Sequence, residues 1–395
     1  MSTASILSLA DQIKAEAAEG SSNQGHDHVR LLQLIDELKL AVETPTETIL
    51  RLIYQPPENA ALRTVVDLGI FPLLVNSPQK EGLSASDLAL HTGAERGLVI
   101  RLMRVMCSLG LCESSETEVY RTTDKTISMT KPIGRDGVPC LYDLTLPALS
   151  KLPEYLRQHK YTNPEDYSTS PMQWAVGKSQ FEWLAENKKH QSLFNSYMSS
   201  RREGRPNWFD VYPMDRLSEG ADLHPDAIFL VDIGGNQGHD LQALSNRKSD
   251  ICGQLVLQDL PRIVSNVDRP GIKTMGYSFL DPQPIKNARA YYFRAIFHDW
   301  PDRICKKILL NTVSAMGSYS RVIIVDFVLP DTNVPRMQAA MDIQMMSIGA
   351  GVERSKKQWE DLLASVGLRV NGIWNAHPGM ESIIECVLNE EREMF

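Results

Sequence analysis

The chain of 395 residues is 43% hydrophobic and 23% charged, the balance of a soluble globular protein. It is too long for one ordinary core, which predicts two domains. A net charge of −8 argues against a nucleic-acid backbone as the main partner, and six cysteines without a CxxC pair argue against a disulfide frame or a zinc site.

The first residues carry no basic segment and no long apolar run, which predicts no signal peptide, no membrane span and a cytoplasmic protein with reduced thiols. Residues 1–45 show helical patterns broken by the polar, glycine-bearing stretch 20–25, expected to be a loop. Residues 60–74 predict an apolar helix. Residues 83–93 predict another, with Ser84 as N-cap and Gly93 as its stop. Residues 96–109 follow, with Leu98, Leu102, Val105 and Leu109 at helical spacing. Two short β segments, 110–113 and 118–121, complete a winged-helix pattern. Arg96, Arg101 and Arg104 leave only a thin basic stripe with acidic flanks, whereas a DNA reader shows a domain-wide basic field. A packing or dimerisation surface is the favoured reading, and a DNA-binding regulator is kept as an alternative.

Residues 140–212 are helical in pattern and rich in bulky side chains, among them Met172, Trp174, Phe194, Met198, Trp208 and Phe209. Most fit a core; the excess also suits the wall of a pocket for a flat apolar molecule. From residue 228 strands and helices alternate, with strands expected at 228–233, 254–258, 290–294 and 322–327 and a last one at 382–388. Such alternation gives an α/β, doubly wound parallel sheet.

Phe229-Leu-Val-Asp-Ile-Gly-Gly-Asn-Gln-Gly-His-Asp240 reads as a buried strand, a glycine turn and a helix start. Glycines at 234, 235 and 238 let the backbone approach a ligand. Asp259 ends the next apolar run, about 20 residues on, the spacing at which a carboxylate reaches ribose hydroxyls. A third strand runs into Phe297-His-Asp-Trp-Pro301. His298 there is the side chain best matched to proton transfer near neutrality. The nine histidines show no metal-ligand clustering, and no metal is expected.

These segments, with Gln258-Asp-Leu-Pro, Val325-Asp-Phe-Val-Leu-Pro-Asp and Gly351-Val-Glu-Arg-Ser-Lys-Lys-Gln-Trp-Glu-Asp-Leu, occur in this order. The chain so resembles the plant-caffeate type of S-adenosylmethionine-dependent O-methyltransferase, in its fungal secondary-metabolite branch, over roughly residues 55–388. The resemblance implies an N-terminal, mostly α winged-helix dimerisation domain (1–135), a helical substrate-pocket segment (136–212) and a Rossmann-like catalytic domain (213–395), in a homodimer. It implies S-adenosylmethionine held by Gly234, Asp259, Ser278, Phe279 and Arg294. It places the general base at His298, flanked by Asp326 and Glu353. Pocket candidates are Phe194, Met198, Trp208, Met341, Met345 and Met346, which suit an aromatic or polyketide-like substrate. Neither nucleic acid nor membrane is an expected partner.

The chain departs from the family pattern at three places. Asn236 stands for a glycine, which its tolerance of φ > 0 should allow. Ser278 replaces an Asp beside the adenine. Asp326 replaces a Glu, one methylene longer, and leaves its contact with His298 in question. A second reading, a relative that binds the cofactor but catalyses dehydration or pericyclic ring formation, follows from the same resemblance.

Overall fold

A computed structural model describes residues 3–19, 26–79, 81–219, 224–247, 251–377 and 379–389. Its backbone divides into two units, residues 1–146 with 181–204, and residues 147–180 with 205–395.

The first unit begins with helices Thr3–Glu19, His26–Val42, Pro45–Ile53, Gln55–Asp67 and Ile70–Asn76. The single helix expected over 60–74 is two, parted at Gly69 with φ 68°, a conformation glycine takes without Cβ strain. The loop expected at 20–25 lies outside the described residues. Ser84 starts the helix Ala85–Thr92 as expected: its hydroxyl accepts the Asp87 N–H at 3.1 Å, and the Asp87 carboxylate accepts the Ser84 N–H at 3.0 Å. Gly93, left-handed, ends it. The helix Arg96–Ser108 buries Val99, Leu102, Met103 and Met106. Leu98, expected on that face, is 41% exposed, because the real stripe runs one residue later. Strands Cys112–Glu116 and Val119–Thr122 form the wing, and Leu83–Ser84 pairs with the latter as a third strand.

The second unit is built on a sheet of seven strands. These are β1 (Ile228–Ile233), β2 (Gln254–Asp259), β3 (Ile272–Gly276), β4 (Ala290–Arg294), β5 (Arg321–Asp326), β6 (Leu368–Asn375) and β7 (Ser382–Leu388). Their order is β6-β7-β5-β4-β1-β2-β3, with β7 antiparallel to both neighbours and the other pairs parallel. Alternation along the strands splits the core in two. Val231, Ile233, Tyr291 and Phe293 pack on one face; Leu230, Tyr292, Leu255 and Leu257 pack on the other. Strand order reverses between β1 and β4, so the carboxyl ends of β1, β2, β4 and β5 flank a switch point, where such sheets bind ligands. Asp259, Arg294 and Asp326 are the last residues of three of these strands.

Candidate active site

The turn after β1 is shaped by close contacts. Gly234 has φ 77°, and a Cβ there would lie 2.6 Å from Ile296 Cδ1. At Gly235 a Cβ would meet Asp232 Oδ2 at 2.3 Å, so both positions exclude a side chain. Asn236 adopts φ 51°, the left-handed conformation expected of it. Its N–H donates to Asp259 Oδ2 at 2.9 Å, and Leu260 N–H donates to Asp259 Oδ1 at 2.7 Å. Burial raises the Asp259 pKa, and these two N–H groups offset only part of the rise. A carboxylate offers about four acceptor sites. Two are used, and the remainder suit a vicinal diol such as ribose.

Phe279 approaches the same turn; its ring lies 3.9 Å from where a Gly234 Cβ would stand. Its carbonyl accepts from Asn311 Nδ2 at 3.0 Å, and the Ser278 hydroxyl accepts the Leu280 N–H at 3.3 Å, which fixes that bend locally. Arg294 is held by an ion pair to Asp240 at 3.0 Å and another to Glu381 at 2.6 Å. Glycine cradle, open carboxylate acceptors and adjacent aromatic ring together fit S-adenosylmethionine.

The base side is assembled from three distant segments. The short 3₁₀ turn Phe297–Asp299 follows β4 and carries His298, 9% exposed. Glu353 Oε1 lies 2.8 Å from His298 Nδ1. Asp326 Oδ1 is 3.9 Å from that nitrogen, beyond hydrogen-bond reach. The shorter acid instead holds the main chain: Asp326 Oδ2 accepts the His298 N–H at 3.3 Å, and Oδ1 accepts the Phe327 N–H at 3.1 Å. On the other side of the ring, Asp299 Oδ1 lies 3.8 Å from Nε2. Burial alone would lower the His298 pKa; Asp326, Asp299 and Glu353 outweigh it and push it up to about 10. Burial also favours the protonated form of Asp326. His298, Asp326 and Glu353 offer donor atoms within 4.8 Å of one another, a spacing that a metal ion could also use.

Five further residues support this cluster without a role assigned to them from the sequence. Gly351 packs so tightly that a Cβ would lie 2.1 Å from the His298 carbonyl, while Val352 N–H donates to that carbonyl at 2.9 Å. Asp342 Oδ1 accepts the Glu353 N–H at 2.8 Å. Arg354, 1% exposed, donates to the carbonyls of Phe297 and Trp300 at 2.9 Å and to Asp302 at 2.8 Å, and so clasps the turn that bears His298. Asp299 adds its charge at Nε2. Gly351 and Arg354 stand in the quoted 351–362 motif, and Asp299 follows the base directly, so their positions were the available signal.

The expected pocket residues fall in different places. Met341 and Met345 lie on the helix Arg336–Gly349, Met345 buried and Met341 and Met346 half-buried. Trp208 is a core residue, 4% exposed, its ring 4.9 Å from that of Tyr292. Phe194 and Met198 belong to the first unit, half-buried on the helix Lys188–Ser200.

Comparison with known proteins gives the family. A family model for the O-methyltransferase domain matches residues 163–369, and one for the O-methyltransferase dimerisation domain matches residues 57–129. Demethylsterigmatocystin 6-O-methyltransferase of Aspergillus parasiticus is 33% identical, with 85% of this chain and 86% of that protein covered. The structure of LepI in complex with S-adenosylmethionine is 28% identical with a TM-score of 0.87, covering 97% of this chain and 99% of that one. A pericyclic reaction enzyme is 27% identical with a TM-score of 0.86, covering 98% and 100%. The chain belongs to the family of S-adenosylmethionine-dependent O-methyltransferases.

Proposed function

We propose that this enzyme methylates a hydroxyl of an aromatic or polyketide-like small molecule, with His298 as general base. The observation that carries this is the 2.8 Å contact between His298 Nδ1 and Glu353. In the neutral ring this contact would hold the proton on Nδ1, and Nε2 would be the atom that takes the proton of a substrate hydroxyl. A phenol ionises near pH 10. Three carboxylates bring the His298 conjugate acid to about the same value, so the proton passes between groups of matched affinity. Glu353 holds the ring, and Asp326 holds the peptide that carries it. When bound, S-adenosylmethionine supplies the electrophilic methyl that the oxygen takes. In this reading Gly234, Asp259, Ser278, Phe279 and Arg294 would hold it.

The enzyme acts as a homodimer in this reading, supported by the dimerisation-domain match. The helix Pro45–Ile53 buries none of its residues, and Ile49, Leu52 and Ile53 stand exposed, as do Leu32, Ile35 and Leu40 of the preceding helix. So much apolar surface is more than a monomer usually leaves to water. Light scattering at micromolar concentration should give a dimer mass. The six free thiols suit the cytoplasm, and no helix among the described residues is long and apolar enough to cross a membrane.

Incubation with methyl-labelled S-adenosylmethionine and a set of phenols tests the reaction. Labelled product and S-adenosylhomocysteine should form one for one. Conversion of a substrate without cofactor consumption would instead select the non-methylating reading, which the likeness to a pericyclic reaction enzyme keeps open.

A further inference from the structure

The first turns of the helix Arg336–Gly349 are turned the wrong way for simple packing. Arg336, Met337, Ala339 and Ala340 are exposed, Met337 at 61%, while Gln338 among them is 3% exposed. Burial preferences would place the methionine inside and the amide outside. Gln338 Oε1 is buried and accepts no hydrogen bond among the described residues. If the amide is turned over, the NH₂ takes that buried place instead. A buried polar atom without a partner weakens a fold, and native structures keep few of them.

The position of Gln338 supplies a reason. Gln338, Asp342, Met345 and Gly349 follow at four, three and four residues, which is one face of a helix. That face leads to the base. Asp342 accepts the main-chain N–H of Glu353, and a Cβ at Gly349 would lie 3.0 Å from the Asp299 carbonyl. Met345 between them is 8% exposed. Gln338 stands at the far end, about 16 Å along the axis from Gly349 at the helical rise.

We propose that Gln338 recognises a second hydroxyl of the substrate, remote from the oxygen that is methylated, so that the substrate is an extended multi-ring phenol and not a single-ring one. A hydroxyl both donates and accepts, so it satisfies the amide in either orientation. The proposal rests on the O-methyltransferase reading above, but binding tests it apart from turnover.

The experiment measures affinities of matched polycyclic phenols in the presence of S-adenosylhomocysteine, for wild type and Gln338→Met. Emodin and chrysophanol, anthraquinones that differ by one ring hydroxyl, form the first pair, with hydroxylated and deoxy flavonoids beside them. Wild type should favour the hydroxylated member of at least one pair by roughly fivefold or more, and Gln338→Met should abolish the preference. Its affinity for S-adenosylhomocysteine should be unchanged and its melting temperature equal to or above that of wild type, since an unmet buried amide has been removed. A variant that melts lower and keeps the preference would make Gln338 a packing residue and overturn the proposal. Wild type with no preference in any pair, or with tighter binding of single-ring phenols, overturns it too. Methylated product is scored separately, so absence of turnover counts only against the proposed function.

Discussion

The cofactor turn and the base cluster share one edge of the sheet, yet they are held together in different ways. The turn is local. Gly234, Gly235 and Asn236 are contiguous, and their partner Asp259 ends the neighbouring strand, linked by a single hydrogen bond from Asn236. The base is remote: His298, Asp326 and Glu353 come from three segments and meet only through tertiary packing. A local site needs the right residues; an assembled site needs, in addition, the contacts that press its segments together. Gly351 and Arg354 supply those contacts. Damage to the turn should therefore appear as lost affinity, and damage to the base cluster as lost rate with affinity kept.

His298→Ala should give the largest effect and the cleanest form of that contrast. The rate of methyl transfer should fall by roughly 10²–10⁴-fold at neutral pH. Affinity for S-adenosylmethionine should stay within error of wild type, because the glycine turn is untouched. Partial recovery at high pH, where the phenol ionises unaided, is expected. Loss of cofactor binding in calorimetry would show that the two regions are one structural unit.

Gly351→Ala tests the contacts behind the base. The added methyl would stand 2.1 Å from the His298 carbonyl, so one of the two segments must move. A displacement of an ångström at a reacting group costs on the order of 10²-fold in rate. Cofactor affinity should again hold. A full-rate Gly351→Ala enzyme would mean that the 297–299 turn tolerates motion that the contacts suggest it cannot.

Asp259→Ala is the converse. Loss of charge-assisted hydrogen bonds of ~1.5–3 kcal/mol should weaken S-adenosylmethionine by about 10- to 100-fold. The rate at saturating cofactor should change much less. Equal affinity in wild type and mutant would remove Asp259 from the cofactor site.

The contrast also explains what could be read from the sequence. A buried strand, glycines and an acid at a fixed distance make a contiguous signal, so β1, its turn and Asp259 were legible, down to the left-handed Asn236. His298 was visible because it directly follows a strand. Asp326 and Glu353 were reachable only through family resemblance, since no local pattern links residues 28 and 55 positions apart from the base. That Asp326 holds the His298 main chain and not its ring turns on one methylene, a distance no sequence pattern records. Gln338 gave no signal, because a polar residue turned inward breaks the periodicity on which helix reading depends. Strands β3 and β6 also escaped notice. Four of the five residues of β3 are exposed, and β6 is an edge strand with a shift in register between Val370 and Gly372. Leu98 shows the converse error, an apolar residue at helical spacing that faces solvent.

The smallest effect concerns pH, and it separates the two carboxylates. The His298 pKa is raised from 6.5 to about 10, so the neutral base is scarce at neutrality and grows with pH. Methyl transfer should therefore climb from pH 7, pass its midpoint near 10 and level off above that. The same charge stabilises the fold, fully below about 6.5 and no longer once the pH has risen through 10, so melting curves must accompany the alkaline rates. Asp326→Asn removes one of the charges that raise this pKa and keeps one oxygen to accept the His298 N–H, at the cost of the acceptor for the Phe327 N–H. The midpoint should move down by roughly one unit, with the plateau rate largely intact; because burial favours the protonated form of Asp326, the shift is at the small end. Glu353→Ala removes the 2.8 Å contact that fixes the ring, and its plateau should fall as well as its midpoint. Equal plateau losses in the two variants would show that Asp326 orients the imidazole directly, and the separation of a ring holder from a main-chain holder would be lost.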